Sequence, residues 1–326
     1  MKASVYYENG PPSVLRYEDV PDPDVGPGDV LIEVQAISVE GGDILGRKRR
    51  PLTSTPYIVG YQAAGVVRSV GAEVTNVRPG QRVAAFNWYG SHAALFCVPT
   101  HFVYPIPDEL TIVDAVAIPV TFGTADYALF EFPRLKAGET VLIQGGAGGV
   151  GLAAVQLAKQ AGARVIATAS SDERLARLAG FGMDEGINYR TQDIADETMR
   201  LTDGQGAEVV VDLAGGTGVK SLFAAASYRG RIVMAGAASG ELPSIEFSDL
   251  MFKSLSLFSV AFGRDMHLPS VHEMIARHMA AAAAGRLRMP IDRTFPLFEA
   301  SAAHTHVEQG HPFGRVLLVP EPGSAG

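Results

Sequence analysis

Hydrophobic and polar positions change rhythm twice along this chain. Over the first third, short alternating or wholly apolar segments, Val30 to Val39, Ala64 to Val70, Arg82 to Phe86 and Leu95 to Val98, are separated by Pro/Gly turns such as Val25-Gly26-Pro27-Gly28-Asp29. A period of two bounded by turn-forming residues predicts strands, so this part reads as a small, mainly β body. From about residue 119 apolar runs alternate with helical stretches. Strands are predicted at Val141 to Ile143, Arg164 to Ala167, Glu208 to Leu213, Arg231 to Ala235 and Ser254 to Ser259, with helices at Gly151 to Ala161, Asp172 to Ala179 and Val219 to Ala226. That repetition predicts an α/β unit built on a doubly wound parallel sheet. An Ala-rich helix, Pro269 to Ala284, and a last strand, Val316 to Val319, are too little for a core of their own and are expected to return to the β body.

The sharpest local pattern is Val141-Leu142-Ile143-Gln144-Gly145-Gly146-Ala147-Gly148-Gly149-Val150-Gly151, followed by the apolar helix from Leu152 to Lys159. A strand turning on glycines into a helix brings free N–H groups and a positive dipole end against a pyrophosphate, so the segment predicts dinucleotide binding through Ala147, Gly148, Gly149 and Val150. An NAD site places Asp or Glu at the tip of the next strand. Here the tip reads Ala169-Ser170-Ser171, and Asp172 and Glu173 are accounted for by the first turn of the following helix, with Ser170 and Glu173 as a capping box. Arg174 lies one turn in, where a guanidinium meets a 2′-phosphate. NADPH is therefore expected over NADH, with Ser170 and Arg174 at the phosphate.

Composition narrows the classes. The chain has 326 residues, 47% of them hydrophobic, enough for roughly two domains. Basic residues number 27 against 35 acidic, a net charge of −8, which excludes a nucleic-acid-binding surface as the main function. The one dense basic run, Arg47-Lys48-Arg49-Arg50, is expected to be a solvated loop. The apolar windows, such as Ala115 to Val120, are interrupted by Pro and Gly and are expected not to cross a membrane. Met1-Lys2-Ala3-Ser4-Val5 leads directly into strand pattern rather than a secretory signal, and the single Cys97 excludes an intrachain disulfide, so a cytoplasmic location is expected.

A longer pattern begins at Gly60: Gly60-Tyr61-Gln62-Ala63-Ala64-Gly65-Val66-Val67-Arg68-Ser69-Val70-Gly71, then Gly80-Gln81-Arg82-Val83. It resembles the Gly-His-Glu signature of zinc alcohol dehydrogenases. With Thr121-Phe122-Gly123-Thr124-Ala125 and the glycine loop in the same order, the chain looks like the zinc-free quinone oxidoreductase branch of the medium-chain dehydrogenases/reductases. The resemblance implies a GroES-like, mainly β catalytic domain at 1–118 and 262–326, a Rossmann dinucleotide-binding domain at 119–261, and a homodimer. The last also suits the strand near Leu255 to Ser259, which carries little edge-blocking charge. The resemblance further implies that Tyr189 lies near the adenosine phosphate and that Gly236, Phe262, Gly263 and Thr124 lie on the nicotinamide side.

Departures from the pattern shape the chemistry. The zinc-ligand His of the alcohol dehydrogenases falls on Tyr61, its neighbouring Glu on Gln62, and the Cys of the Cys-x-x-Asp turn on Glu40 of Glu40-Gly41-Gly42-Asp43. A catalytic zinc takes Cys, His or carboxylate ligands, and a four-Cys structural site needs more than one Cys, so no metal is expected. Quinones and α,β-unsaturated carbonyls suit a metal-free hydride transfer, because hydrogen-bond donors alone stabilise the developing oxyanion. Glu40, Tyr61, Asn87 and Thr124 are the catalytic candidates, with Tyr57 and Trp88 as ring walls. His92 and His101 have no second ligand at a sensible spacing, and Ser38 has no His/Asp partner pattern. Three readings stand: an NADPH-dependent quinone or enone reductase, an alcohol dehydrogenase with unusual zinc ligands, and an NADPH-binding protein without turnover.

Overall fold

The computed structural model describes residues 1–216, 218–236, 240–241, 244–310, 312–321 and 323–324. In chain order its elements are β1 (Lys2–Tyr6), β2 (Arg16–Asp19), β3 (Asp29–Ser38), α1 (Gly41–Arg49), β4 (Tyr57–Ile58), β5 (Gln62–Val70), β6 (Arg82–Phe86), β7 (Leu95–Pro99), β8 (Val103–Pro105), α2 (Ile112–Ala115) and α3 (Pro119–Asp126). There follow β9 (Thr140–Gln144), α4 (Gly149–Gln160), β10 (Arg164–Ala169), α5 (Asp172–Ala179), β11 (Glu185–Asn188), α6 (Ile194–Leu201), β12 (Ala207–Asp212), α7 (Val219–Ala225), β13 (Ala226–Met234), α8 (Phe247–Met251) and β14 (Ser256–Ser259). The chain ends with α9 (Pro269–Ala283), β15 (Ile291–Pro296), α10 (Ala300–Gly310) and β16 (Arg315–Val319). These elements form two compact units, Met1–Val120 with Gly263–Gly326, and Thr121–Phe262.

The first unit is built on a mostly antiparallel sheet in the order β15-β16-β3-β5-β6-β8, with β2-β1-β4 as a smaller sheet. Strand β3 organises it. Its first half pairs with β7 and its last residues, Ile37 and Ser38, pair with Leu318 and Leu317 of β16. The late segment of the chain thus reaches the end of β3, and it does so because Val316 and Leu318 enter the same core as Ile32, Val34 and Ile37. Across β3, Gly65 of β5 faces Val34 where the register shifts, and a Cβ there would stand 1.9 Å from the Glu33 carbonyl oxygen. Only glycine permits that approach.

The second unit is a six-stranded parallel sheet in the order β11-β10-β9-β12-β13-β14. The central residues Val141, Leu142 and Ile143 are fully buried, as a parallel strand covered on both faces requires. The chain runs outward from β9 through β10 to β11, then returns to place β12 on the other side of β9. Between β9 and β12 lies the switch point at which ligands bind in such sheets. Strand β14 lies at the open edge.

Two expectations are corrected. Helix α4 starts at Gly149, two residues before Gly151, so the glycine loop itself forms the first turn. The cap of α5 is Ser171, whose hydroxyl accepts from the Arg174 N–H at 3.4 Å, and Ser170 stays outside the cap. The helical run Ile112–Glu131 has 20 residues and a mean hydropathy of 1.3, long and apolar enough to cross a membrane, yet 72% of its most apolar window is buried within the protein, as in a core helix.

Gly65→Ala is expected to lower stability by at least ~2 kcal/mol, because β3 and β5 must separate to admit the methyl group. Urea unfolding followed by circular dichroism measures it, and a loss under about 0.5 kcal/mol would contradict the close approach.

Candidate active site

In the first unit Glu40 is 2% exposed and closes β3 onto α1. Its Oε1 accepts from the Ser38 hydroxyl at 2.7 Å and the Gln62 amide at 3.1 Å, and it pairs with the Arg315 guanidinium at 2.6 Å. Arg315 also donates to the Ser38 hydroxyl at 3.0 Å and to the Val39 carbonyl. The Gln62 carbonyl oxygen accepts from the Val120 N–H at 2.8 Å, so both ends of that amide are used. Burial pushes the Glu40 carboxyl up, while Arg315 and Ser38 pull it back. Arg315 was invisible to sequence reasoning: it lies far along the chain in a plain apolar strand, and only the β3–β16 pairing brings it here.

Beside Glu40, the Asp43 carboxylate accepts from the Glu40 backbone N–H through Oδ2 at 2.8 Å, while its buried Oδ1 has no partner. Tyr61 packs on Gly42, where a Cβ would stand 2.8 Å from the phenol oxygen, and meets Phe86 edge-on at 5.7 Å. Burial, then Glu40 and Asp43, push the Tyr61 hydroxyl far up, which keeps it a proton donor. Gly42, Asp43, Tyr61, Tyr57, Trp88 and Arg50 line one small pocket. Asn87 is adjacent through its backbone, which donates to the Tyr61 carbonyl at 2.9 Å, but its side chain is used locally. Its oxygen accepts from the Trp88 N–H at 2.8 Å, so Asn87 holds the turn that carries Trp88.

The run Arg47 to Arg50 is not the solvated loop its charge suggested. It is the last turn and cap of α1, and Arg47 is fully buried. Arg47 and Lys48 both pair with Glu308, and Arg47 also meets His304 Nδ1 at 3.3 Å. A guanidinium only donates, so His304 Nδ1 accepts. The proton of His304 is then on Nε2, which donates across 3.1 Å to His92 Nε2, and His92 Nδ1–H faces the Ser91 hydroxyl at 3.3 Å. Gly60, at φ 92°, sits over this row, and a Cβ there would be 1.9 Å from His92 Nδ1. The histidines are structural, as sequence spacing suggested for His92. His101 makes edge contacts with Phe102 and His267.

In the second unit Gly151 lies against the Gly145 carbonyl, where a Cβ would be 2.2 Å from the oxygen, and Gly148 is exposed with no side-chain cap on α4. The first N–H groups of α4 are therefore open to an anion, while Ala147 is buried beneath the turn. Ser170 follows β10, Arg174 lies in the first turn of α5, and Tyr189 follows β11, exposed, with its N–H donating to the Ala169 carbonyl at 3.2 Å. Asp172 is taken by the Asn188 amide at 2.8 Å, so the nearest acid has a structural partner. Thr124 is half-buried on α3. Phe262 is buried against Gly123 and Tyr127, with ring centroids 4.9 Å apart for the latter pair, so its ring serves the core. Gly236 follows β13 with a Cβ position 2.4 Å from the Leu213 carbonyl, and Gly263 lies against Trp88 and Phe86. Sequence reasoning missed Gln144 and Asp212, side by side at the ends of β9 and β12, each with one buried oxygen lacking a partner among the described residues.

Known proteins share this fold and part of this sequence. The alcohol dehydrogenase GroES-like domain family matches residues 26–108 and the zinc-binding dehydrogenase family residues 149–277. A quinone oxidoreductase of Pseudomonas aeruginosa is 31% identical over 315 residues, 95% of this chain and 97% of that protein. The chain belongs to the quinone oxidoreductase branch of the medium-chain dehydrogenases/reductases. Within this family a 2-haloacrylate reductase of a Burkholderia species is 30% identical, covering 98% of this chain and 99% of its own. The Escherichia coli quinone oxidoreductase solved with NADPH superposes with a TM-score of 0.93 at 25% identity, over 98% of this chain and all of the other. The fold is thus the GroES-like and Rossmann pair of this family, and the protein is an oxidoreductase with a nicotinamide cofactor.

The name of one matching family raises the question of zinc. Glu40 Oε1 is committed to Arg315, Ser38 and Gln62, Gln62 is used at both ends, and Tyr61 holds its proton, so this donor set does not fit a tetrahedral zinc site. Arg315→Met should cost about 3–5 kcal/mol, since it strands Glu40 in the interior, and adding Glu40→Gln should recover more than half of that. A double-mutant cycle by denaturant unfolding tests the coupling; additive losses would refute it. Burial lowers His92 to about 3 and, with His92 and Arg47, holds His304 well below its usual value. The unfolded chain protonates both near 6.5, so their contribution is intact above about pH 6.5 and is lost as pH falls toward 3. The stability slope between about pH 6.5 and 4.5 should be shallower in His304→Gln than in the parent, a comparison in which Glu40 and Asp43, acting in the opposite sense, are common to both.

Proposed function

We propose that this protein is an NADPH-dependent reductase of quinones or α,β-unsaturated carbonyl compounds, acting by hydride transfer without a metal in the cytoplasm. The observation that carries this reading is the commitment of Glu40 to Arg315 at the position where a zinc dehydrogenase needs a free ligand. The relatives named quinone oxidoreductase and 2-haloacrylate reductase support an acceptor with a conjugated double bond.

NADPH, when bound, supplies the hydride. The open N–H groups of α4, reached through Ala147, Gly148, Gly149 and Val150, take the pyrophosphate, and Ser170 and Arg174 take the 2′-phosphate with Tyr189 beside the adenosine. Thr124, Gly236 and Gly263 border the nicotinamide side, with Phe262 holding Gly123 in place beneath. Tyr61 donates a hydrogen bond to the oxygen that gains charge. Glu40 and Asn87 act at one remove: the first fixes the β3–α1 corner, the second the Trp88 turn.

Oxidation of NADPH with a small panel of quinones and enones tests the reading, and activity should survive exhaustive dialysis against a chelator. Loss on chelation with recovery on adding zinc would transfer the protein to the alcohol dehydrogenases. Tyr61→Phe should slow turnover by no more than about a hundredfold, the scale of one hydrogen bond or proton transfer. Arg174→Ala should weaken NADPH binding by ~1.5–3 kcal/mol with little effect on NADH, measured by fluorescence titration; equal losses would remove the 2′-phosphate role. We also propose a homodimer through the exposed edge of β14, for which light scattering at micromolar concentration is decisive.

A further inference from the structure

We propose that Arg50 binds a carboxylate on the acceptor, so that the preferred substrates are α,β-unsaturated acids rather than neutral quinones or enones. This rests on the reductase reading and deepens it. Arg50 caps the C-terminus of α1 and its exposed side chain lines the pocket with Asp43, Tyr57, Tyr61 and Trp88. Of the charges in the basic run, Arg47 and Lys48 are matched by Glu308, whereas among the described residues no carboxylate lies within ion-pair distance of Arg50. Its Nη1 donates to the Trp88 carbonyl at 3.0 Å and the guanidinium also meets the Tyr57 hydroxyl. Those two contacts aim the group and leave further N–H donors for a bidentate partner.

The acids nearby do not fill that role. Glu40 belongs to Arg315. Asp43 is held by the Glu40 backbone N–H through Oδ2 at 2.8 Å, and burial, then the neighbouring Glu40, pushes its carboxyl well above the usual carboxylate range. A cation with an open fork and two phenols suit a planar anion whose conjugated end extends past the Trp88 ring. The chemistry has a need for such a cation. A carboxylate disfavours hydride addition at its β carbon because charge builds on the same oxygens, and a paired guanidinium offsets it. Reduction adds the hydride to the β carbon and a proton from water to the α carbon; the dihydronicotinamide is oxidised and the carboxylate leaves unchanged.

The test uses the only tryptophan of the chain, Trp88, as a reporter independent of turnover. The protein is titrated with 2-methylpropanoate and with the isosteric neutral 2-methylpropanamide. The acid should change Trp88 emission saturably, the amide at least ~10-fold more weakly, and Arg50→Gln, which keeps donors but not charge, should bring the acid to the level of the amide. In turnover, kcat/KM for 2-methylpropenoate should fall at least ~10-fold more than that for 2-methylpropenamide in Arg50→Gln, with partial recovery in Arg50→Lys, and the acid's KM should rise with ionic strength. Equal affinity for acid and amide, or equal losses in the variant, would overturn the proposal. Turnover of quinones without carboxylate binding sinks this inference and spares the reductase reading; carboxylate binding without turnover of any acceptor does the reverse.

Discussion

The ion pair between Arg315 and Glu40 is the contact on which the first unit turns. Two charges are withdrawn from water there, and what makes this tolerable is that the polar groups they touch are enlisted: Ser38 donates and accepts, Gln62 donates to the carboxylate and accepts from Val120, and the guanidinium takes up the Val39 carbonyl. The pair fastens the first strand that the chain completes in this sheet to the last. It also settles the chemistry of the corner, because a carboxylate held in this way is withdrawn from ligand duty. The pocket beside it is lined by two phenols, an amphipathic ring, the Asp43 carboxyl and a cation.

The second unit works by restraint at the backbone. Three of its glycines are needed for different reasons: Gly145 adopts φ 81°, Gly151 lies against a carbonyl, and Gly148 leaves the first turn of α4 uncovered. A side-chain cap would have satisfied those N–H groups internally, and its absence among the described residues of that turn is what an anion site requires. The same logic explains Asp172, which the Asn188 amide draws into the structure of the strand ends.

Local periodicity and turn chemistry carried most of the fold. The parallel strands were legible because their apolar runs are uninterrupted, and the β body because its Pro/Gly punctuation is dense. Errors arose where a local pattern competed with a tertiary one. The basic run read as a loop because charge suggests solvent, yet Glu308, 261 residues on, draws Arg47 into the core. Ser170 and Ser171 are equivalent in sequence, and only backbone geometry selects the second as the cap. At the candidate site, motif spacing pointed to Glu40 and Tyr61, but Arg315, which pairs with Glu40, and Arg50, which shares the pocket with Tyr61, have no signature, since nothing in an isolated strand or a helix end says which side chain it will meet.

The row from Arg47 through His304 and His92 to Ser91 has a direction. Because the guanidinium can only give protons, each link in the row is oriented the same way, and its bond dipoles add. The result is a short electrical polarity with no net charge beyond the balanced pair at its start, and its positive end lies under Gly60 at the floor of the pocket. A field of this kind is built when the protein folds and needs no rearrangement when charge appears above it, so the interior of the β unit biases the potential at the pocket from a distance at which it touches nothing.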